Sequence, residues 1–276
     1  MASNARIRPL RNARITLLLL GFLLSAPLAA GSAEIVVAAA SDLTFAFKDL
    51  APRFEKRTGD TVKFSYGSSG NFFAQIQNGA PYDAFFSADI EYPKKLERAG
   101  LIEPGTIYEY AVGKIVLWVP GASTLDLKRG PAVMLDPAIR KIAIANPDHA
   151  PYGRAAVAAM RHEGIYDRLK DKLVLGENIS QTAEFVLSGN ADIGVLALSL
   201  VLAPAMKSAG RYVDVPLEDY PAIVQAGVTL KSSRQKEAAR QFFDFIRQPA
   251  SVALMRQYGF TTPEEAGSKP SAETAH

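Results

Sequence analysis

Two serines, Ser41 and Ser69, stand where an apolar strand-like run gives way to a helix, in EIVVAAASDL and VKFSYGSSGNFF. The first turn of a helix presents unpaired N–H groups and about half a positive charge. A serine hydroxyl at that mouth adds a donor that can accept elsewhere, whereas a backbone N–H only donates. Two such turns closing on one point suit a small, fully deprotonated anion without any lysine or arginine. A protonated phosphate would need an acceptor as well. Two further turns echo the first pair. KIAIANPDHAPYGRAAVAAM opens a helix near Tyr152-Gly153, and KLVLGENISQTAEFV opens one that Asn178 can cap.

Other chemistries are poorly supplied. A serine nucleophile needs a histidine within hydrogen-bond reach, and of His149, His162 and His276 only His149 lies in a suitable loop. Neither serine sits in a G-x-S-x-G elbow. An exported serine hydrolase is therefore the weak alternative, and no catalytic residue is expected. With three histidines and no cysteine, a zinc site would rest on unsupported carboxylate spacing. Gly67–Gly70 lacks the Gly-Lys-Ser/Thr of a phosphate loop. Asp42 would repel an anion if it pointed inward, so it is expected to cap the helix opening at Leu43 or to face solvent. His149 is expected to hold its own turn and His162 to be solvated. The Tyr152 ring either touches the ligand or closes the cleft as a partly buried aromatic.

The elements that position these groups follow from periodicity. Strands are expected at Ile35–Ala39, Val62–Tyr66, Ala84–Ser87, Lys114–Val119, Ile142–Ala145, Lys172–Leu175 and Ile193–Leu198. Leu43, Phe47, Leu50 and Phe54 mark one face of a helix that stops near Thr58-Gly59. Further helices are expected at Phe72–Asn78, Tyr92–Ala99, Arg154–Glu163, Gln181–Ser188 and Ser233–Arg247, with Phe72-Phe73 and Phe242-Phe243-Phe245 packing onto sheets. Trp118 reads as core or interface packing. Alternation of this kind means α/β layering with doubly wound, parallel sheets. Two lobes would face each other across a ligand cleft. The crossings fall near Tyr110–Gly113 and Pro221–Gly227, giving residues 34–112 and 222–260 to one lobe and 113–221 to the other. Residues 261–276 lack apolar periodicity and are expected to be a disordered tail.

The first 33 residues have the layout of a secretory signal peptide. Arg6, Arg8, Arg11 and Arg14 precede an apolar run at Ile15–Leu24 and small residues up to Ala33. The formal charge of +3 becomes −1 when those four arginines leave, so the basic balance of the whole chain implies no nucleic-acid partner. Without cysteine there is no disulfide and no lipid-anchored cysteine. A soluble periplasmic protein held by its core is the expectation, and a monomer.

The stretches AAASDLTFAFKDLA, GSSGNFFAQIQNGAPYDAFFSAD, IANPDHAPYGRAA, LVLGENISQTAEFV, ADIGVLALS and RQYGF resemble the molybdate-binding periplasmic proteins, substrate receptors of molybdate ABC importers. The resemblance implies a type II periplasmic-binding-protein fold whose partner is the permease of such an importer in the inner membrane. The ligand would be molybdate, with tungstate or another tetrahedral oxyanion such as sulfate as the alternative. No cofactor and no cation site are implied, because the metal arrives as its oxyanion. By the same resemblance the donors are the hydroxyls of Ser41 and Ser69, with Ser68 as the neighbouring alternative to the latter, and backbone N–H groups at Tyr152 and Ile179. Ala197 stands where well-known members carry a tyrosine, so one phenolic donor is missing or replaced, for instance by Tyr152. Asp42 follows the first serine, where some relatives lack a residue, and Gly70 stands in place of a third consecutive serine.

Overall fold

The computed structural model describes residues 1–2 and 32–267. The expected signal segment therefore falls almost wholly outside the described residues. Residues 33–267 form one compact unit containing two five-stranded sheets. The strands are β1 (Glu34–Ala40), β2 (Thr61–Gly67), β3 (Ala84–Ser87), β4 (Tyr108–Gly113), β5 (Ile115–Pro120), β6 (Ile142–Ala145), β7 (Leu173–Gly176), β8 (Ile193–Ala197), β9 (Gly210–Asp214) and β10 (Ile223–Thr229). The first sheet runs β2-β1-β3-β10-β4 and the second β7-β6-β8-β5-β9. Lys114 alone separates β4 of the first sheet from β5 of the second, and the chain returns between Asp214 and Ile223.

Both sheets are mixed rather than all-parallel. β1 pairs in parallel with β2 and β3, and β6 with β7 and β8. β10 and β5 run antiparallel to their neighbours. The reason is geometric. A strand that enters a sheet from the other sheet starts at their shared end and must run away from it. β4, β9 and β10 were not expected as strands from the sequence. β9 is a largely exposed edge, and β4 and β10 coincide with the segments read as crossings.

The helices follow the apolar faces. Helix α1 (Thr44–Thr58) buries Phe47, Leu50 and Phe54. It packs them against Phe242 from Lys236–Ile246 and Phe86 from β3, with ring centroids 5.0–5.8 Å apart. Helix α2 (Ser69–Gln77) sets Phe72 against Tyr82 and Phe85. Helix α3 (Glu91–Arg98) buries Leu96 and Pro93. Helix α4 (Pro151–His162) buries its alanine-rich face in the second core, where Trp118 of β5 is also buried. The expected tail begins later than the sequence suggested. Thr261 bridges to Val112 of β4, and Pro263–Gly267 forms one more helical turn. The remainder of that segment lies outside the described residues. Among the described residues no helix is long and apolar enough to cross a membrane.

Candidate functional site

Three of the four turns carry a helix that starts directly where a strand of its sheet ends. Ser41 opens a short 3-10 turn after β1, Ser69 opens α2 after β2, and Ile179–Leu187 follows β7. Helix α4 starts at Pro151, five residues after β6, because Pro at the first helical position needs no N–H partner. Together these segments line a small cavity. Its walls are Ala40, Ser41, Asp42, Gly67, Ser68, Ser69, Ala88, Ala150, Pro151, Tyr152 and Ile179. Four of the five residues expected at the site, Ser41, Ser69, Tyr152 and Ile179, are thus brought together. None of the lining residues is a lysine, arginine or histidine.

The hydroxyls are arranged as donors. Ser69 Oγ accepts from the Ala88 N–H at 2.9 Å, and Ser41 Oγ from the Ser180 N–H at 3.4 Å. One of the two acceptor sites of each hydroxyl is thereby occupied by protein, and its proton is free to point elsewhere. Ser68 is different. It caps α2 by accepting from the Asn71 N–H, and it meets His149 Nδ1 at 2.9 Å. Asn178 caps its helix as expected, accepting from the N–H groups of Ser180 and Gln181. The N–H groups of Tyr152 and Ile179 belong to first helical turns, whose donors have no partner within the helix.

Ala197 does not join this group. It is the buried last residue of β8, paired with Ile115, and it is absent from the cavity wall. The Tyr152 phenol is engaged within the protein. Its hydroxyl donates to Asp42 Oδ2 at 2.9 Å and accepts from Gln225 Nε2 at 3.0 Å. The space for that hydroxyl exists because Gly113 has no side chain: a Cβ there would stand 2.2 Å from the phenolic oxygen.

Asp42 contradicts the sequence reading most directly. It caps no helix and does not face solvent; it is buried in the cavity wall. Its Oδ2 accepts from Tyr152 and, at 2.7 Å, from Gln225 Nε2, while its backbone carbonyl accepts from Ser199 Oγ at 2.8 Å. Tyr110 completes the network by donating to Gln225 Oε1 at 2.7 Å. Burial is the main influence on the Asp42 carboxyl, pushing it up to about 6 against donation from Gln225, Tyr152 and its own backbone, which favour ionisation. Burial likewise holds Tyr152 and Tyr110 well above the usual phenol range. Gln225 and Tyr110 were missed because their strands were read as crossings. The available signal was a glutamine inside the otherwise apolar run IVQAGVT.

Several contacts fasten the two sheets' helices around this cavity. The Gly70 N–H donates to the His149 carbonyl at 2.9 Å, Asn71 Nδ2 donates to Glu177, and Arg154 reaches Asp89 at 2.5 Å and Tyr92 at 3.3 Å. His149 thus does more than hold its turn. His162 is exposed as expected, yet its Nδ1 lies 2.9 Å from buried Asp219 Oδ1, and Glu163 completes a three-residue cluster there. That cluster is at the opposite end of α4 from the cavity.

Two mixed α/β sheets that place helix starts and serine hydroxyls around one small cavity define a binding protein of the periplasmic-receptor fold. The chain belongs to the bacterial extracellular solute-binding protein family, which it matches over residues 35–261. It is 39% identical over 239 residues to the Molybdate-binding protein ModA of Rhodobacter capsulatus, spanning 87% of this chain and 92% of that one. It is 40% identical over 232 residues to ModA of Azotobacter vinelandii, spanning 84% and 91%. The solved periplasmic molybdate-binding protein of Azotobacter vinelandii superimposes with a TM-score of 0.79 at 37% identity, covering 83% of this chain and 99% of that structure.

Proposed function

We propose that the protein is a periplasmic solute receptor that captures molybdate where its two sheets meet and hands it to the permease of an ABC importer. The observation that carries this reading is the donor set. Ser41 and Ser69 each accept from a backbone N–H and keep their own proton to donate, and the cavity wall holds helix starts but no cationic side chain. Such a wall suits a dianion that brings no proton of its own. The names and the extent of the matched relatives support molybdate within that class.

Mechanistically, residues 34–112 with 222–260 act as one lobe and residues 113–221 as the other, turning about the two crossings. Closure brings Tyr152 and Ile179 N–H groups to the serines of the first lobe and excludes water, which strengthens each hydrogen bond. Binding and release complete the cycle without bond chemistry. The protein works as a monomer delivered by its N-terminal segment.

A thermal-shift titration with molybdate, tungstate, sulfate and phosphate tests the reading. A ligand at a hundred times its dissociation constant adds about 2.7 kcal/mol of stability. Molybdate should shift the transition most, with tungstate beside it. A larger shift from sulfate or phosphate would replace molybdate as the ligand.

A further inference from the structure

We propose that Asp42 carries a proton when the anion is bound, so that this site takes up one proton with each dianion it captures. The inference rests on the oxyanion reading and concerns what that reading leaves unexplained, a buried carboxyl in the wall of an anion site. Asp42 is 1% exposed and shares the cavity with Ser41 and Ser69. Both of its side-chain donors, Tyr152 and Gln225, go to Oδ2. Oδ1 is buried and has no hydrogen-bond partner among the described residues.

The groups facing it are neutral in every direction. Tyr152 comes from α4, Gln225 from β10, Tyr110 from β4 through Gln225, and Ser199 reaches only the backbone carbonyl. Among the described residues no cationic side chain offsets its charge. An ionised carboxylate here would repel a dianion in the same cavity across a medium of low dielectric. Protonation removes that repulsion, and it turns the orphaned oxygen from an idle acceptor into a possible donor. Burial already favours the protonated form in the protein alone, and a neighbouring dianion favours it further by the like-charge effect. The carboxyl therefore ionises only in the uncomplexed protein above about pH 6, and binding must return the proton.

Isothermal titration calorimetry with sodium molybdate, run near pH 7.5 in two buffers of different ionisation enthalpy, reads the proton directly. About one proton should be taken up per anion bound, and the affinity should fall by up to about tenfold per pH unit above pH 6. Asp42→Asn should bind with a pH-independent affinity and no proton uptake. Wild-type binding that is flat with pH and takes up no proton would overturn the inference while leaving the ligand reading intact. So would proton uptake that persists in Asp42→Asn. Tight binding of hydrogen phosphate without proton uptake would mean that ionised Asp42 accepts the ligand's own O–H, which also overturns it. Absence of molybdate binding to either protein at every pH would reject the ligand reading, and this inference with it.

Discussion

The backbone N–H of Gly70, in the first turn of α2, donates to the carbonyl of His149 at 2.9 Å, joining a helix of the first sheet to a loop of the second. The approach leaves no room for a side chain. A Cβ at position 70 would stand 2.6 Å from that carbonyl oxygen and 2.8 Å from His149 Cα. The His149 backbone is itself fixed by a turn, since Ala150 N–H donates to the Asn146 carbonyl at 2.9 Å. Glycine at this position, where a serine would continue the run of Ser68 and Ser69, is thus a steric condition for the two sheets to approach.

Gly70→Ala should consequently fold but close poorly. Residue 70 faces the partner segment rather than its own core, so the thermal midpoint without ligand should stay within a few degrees. Molybdate affinity should drop by about tenfold or more, the equivalent of roughly 1.4 kcal/mol. Calorimetry measures the affinity, and small-angle scattering with ligand should show a larger radius than wild type. Unchanged affinity would mean that the contact is not a condition of binding.

Ser41→Ala and Ser69→Ala should each weaken molybdate binding by roughly 1–3 kcal/mol, the range for a charge-assisted hydrogen bond. Ser69→Ala also strands the Ala88 N–H that its hydroxyl now satisfies, so it should lower unfolding stability as well. Ser41→Ala, whose Oγ accepts only a long 3.4 Å bond, should affect binding more selectively. Chemical denaturation beside calorimetry separates the two effects. Two alanine variants with wild-type affinity would remove the serines from the site.

Much of this site was legible in the chain because strand-to-helix turns are written locally. The apolar run before Ser41, the Asn178 cap and the four- and three-residue spacing of Leu43, Phe47 and Leu50 each depend on near neighbours. Asp42 was misread for the opposite reason. Its partners Tyr152, Ser199 and Gln225 are 110, 157 and 183 residues away, and only the fold brings those donors to a carboxyl that local rules would place in solvent. β4 and β10 were lost because a strand that begins right at a lobe crossing carries the glycines of a connection, Gly113 and Gly227, inside its own run. The mixed sheet order follows from those same crossings and has no local signal at all.

The raised Asp42 carboxyl makes a prediction for stability without ligand. Its pKa is 3.8 as an ordinary side chain and about 6 when folded, so between these values the folded chain holds a proton that the unfolded chain has released. The unfolding free energy should therefore fall as pH rises from about 4 to about 6 and then level off. The cost at neutral pH is roughly 3 kcal/mol relative to an unshifted carboxyl. Urea denaturation of wild type and Asp42→Asn across that window checks it. The variant should lose this component of the slope and be the more stable of the two near pH 7, and identical slopes would show that burial does not perturb the group.

The core beneath the first serine makes the last prediction. Phe242 is fully buried, and its ring meets those of Phe47, Phe54 and Phe86 at 5.1–5.8 Å in edge-to-face geometry. It comes from a helix contributed after the chain has returned from the second sheet, so it anchors that returning segment to α1, the helix that continues from the Ser41 turn. Phe242→Ala removes a whole ring from a packed site and should cost about 3–5 kcal/mol. Its effect should be on unfolding rather than on chemistry at the cavity, where no atom of Phe242 takes part. Denaturation should show the loss at full size, while molybdate affinity, measured well below the variant's own transition, should change by less than about tenfold. A small stability cost with a large loss of affinity would mean that this ring positions the Ser41 turn rather than simply filling the core.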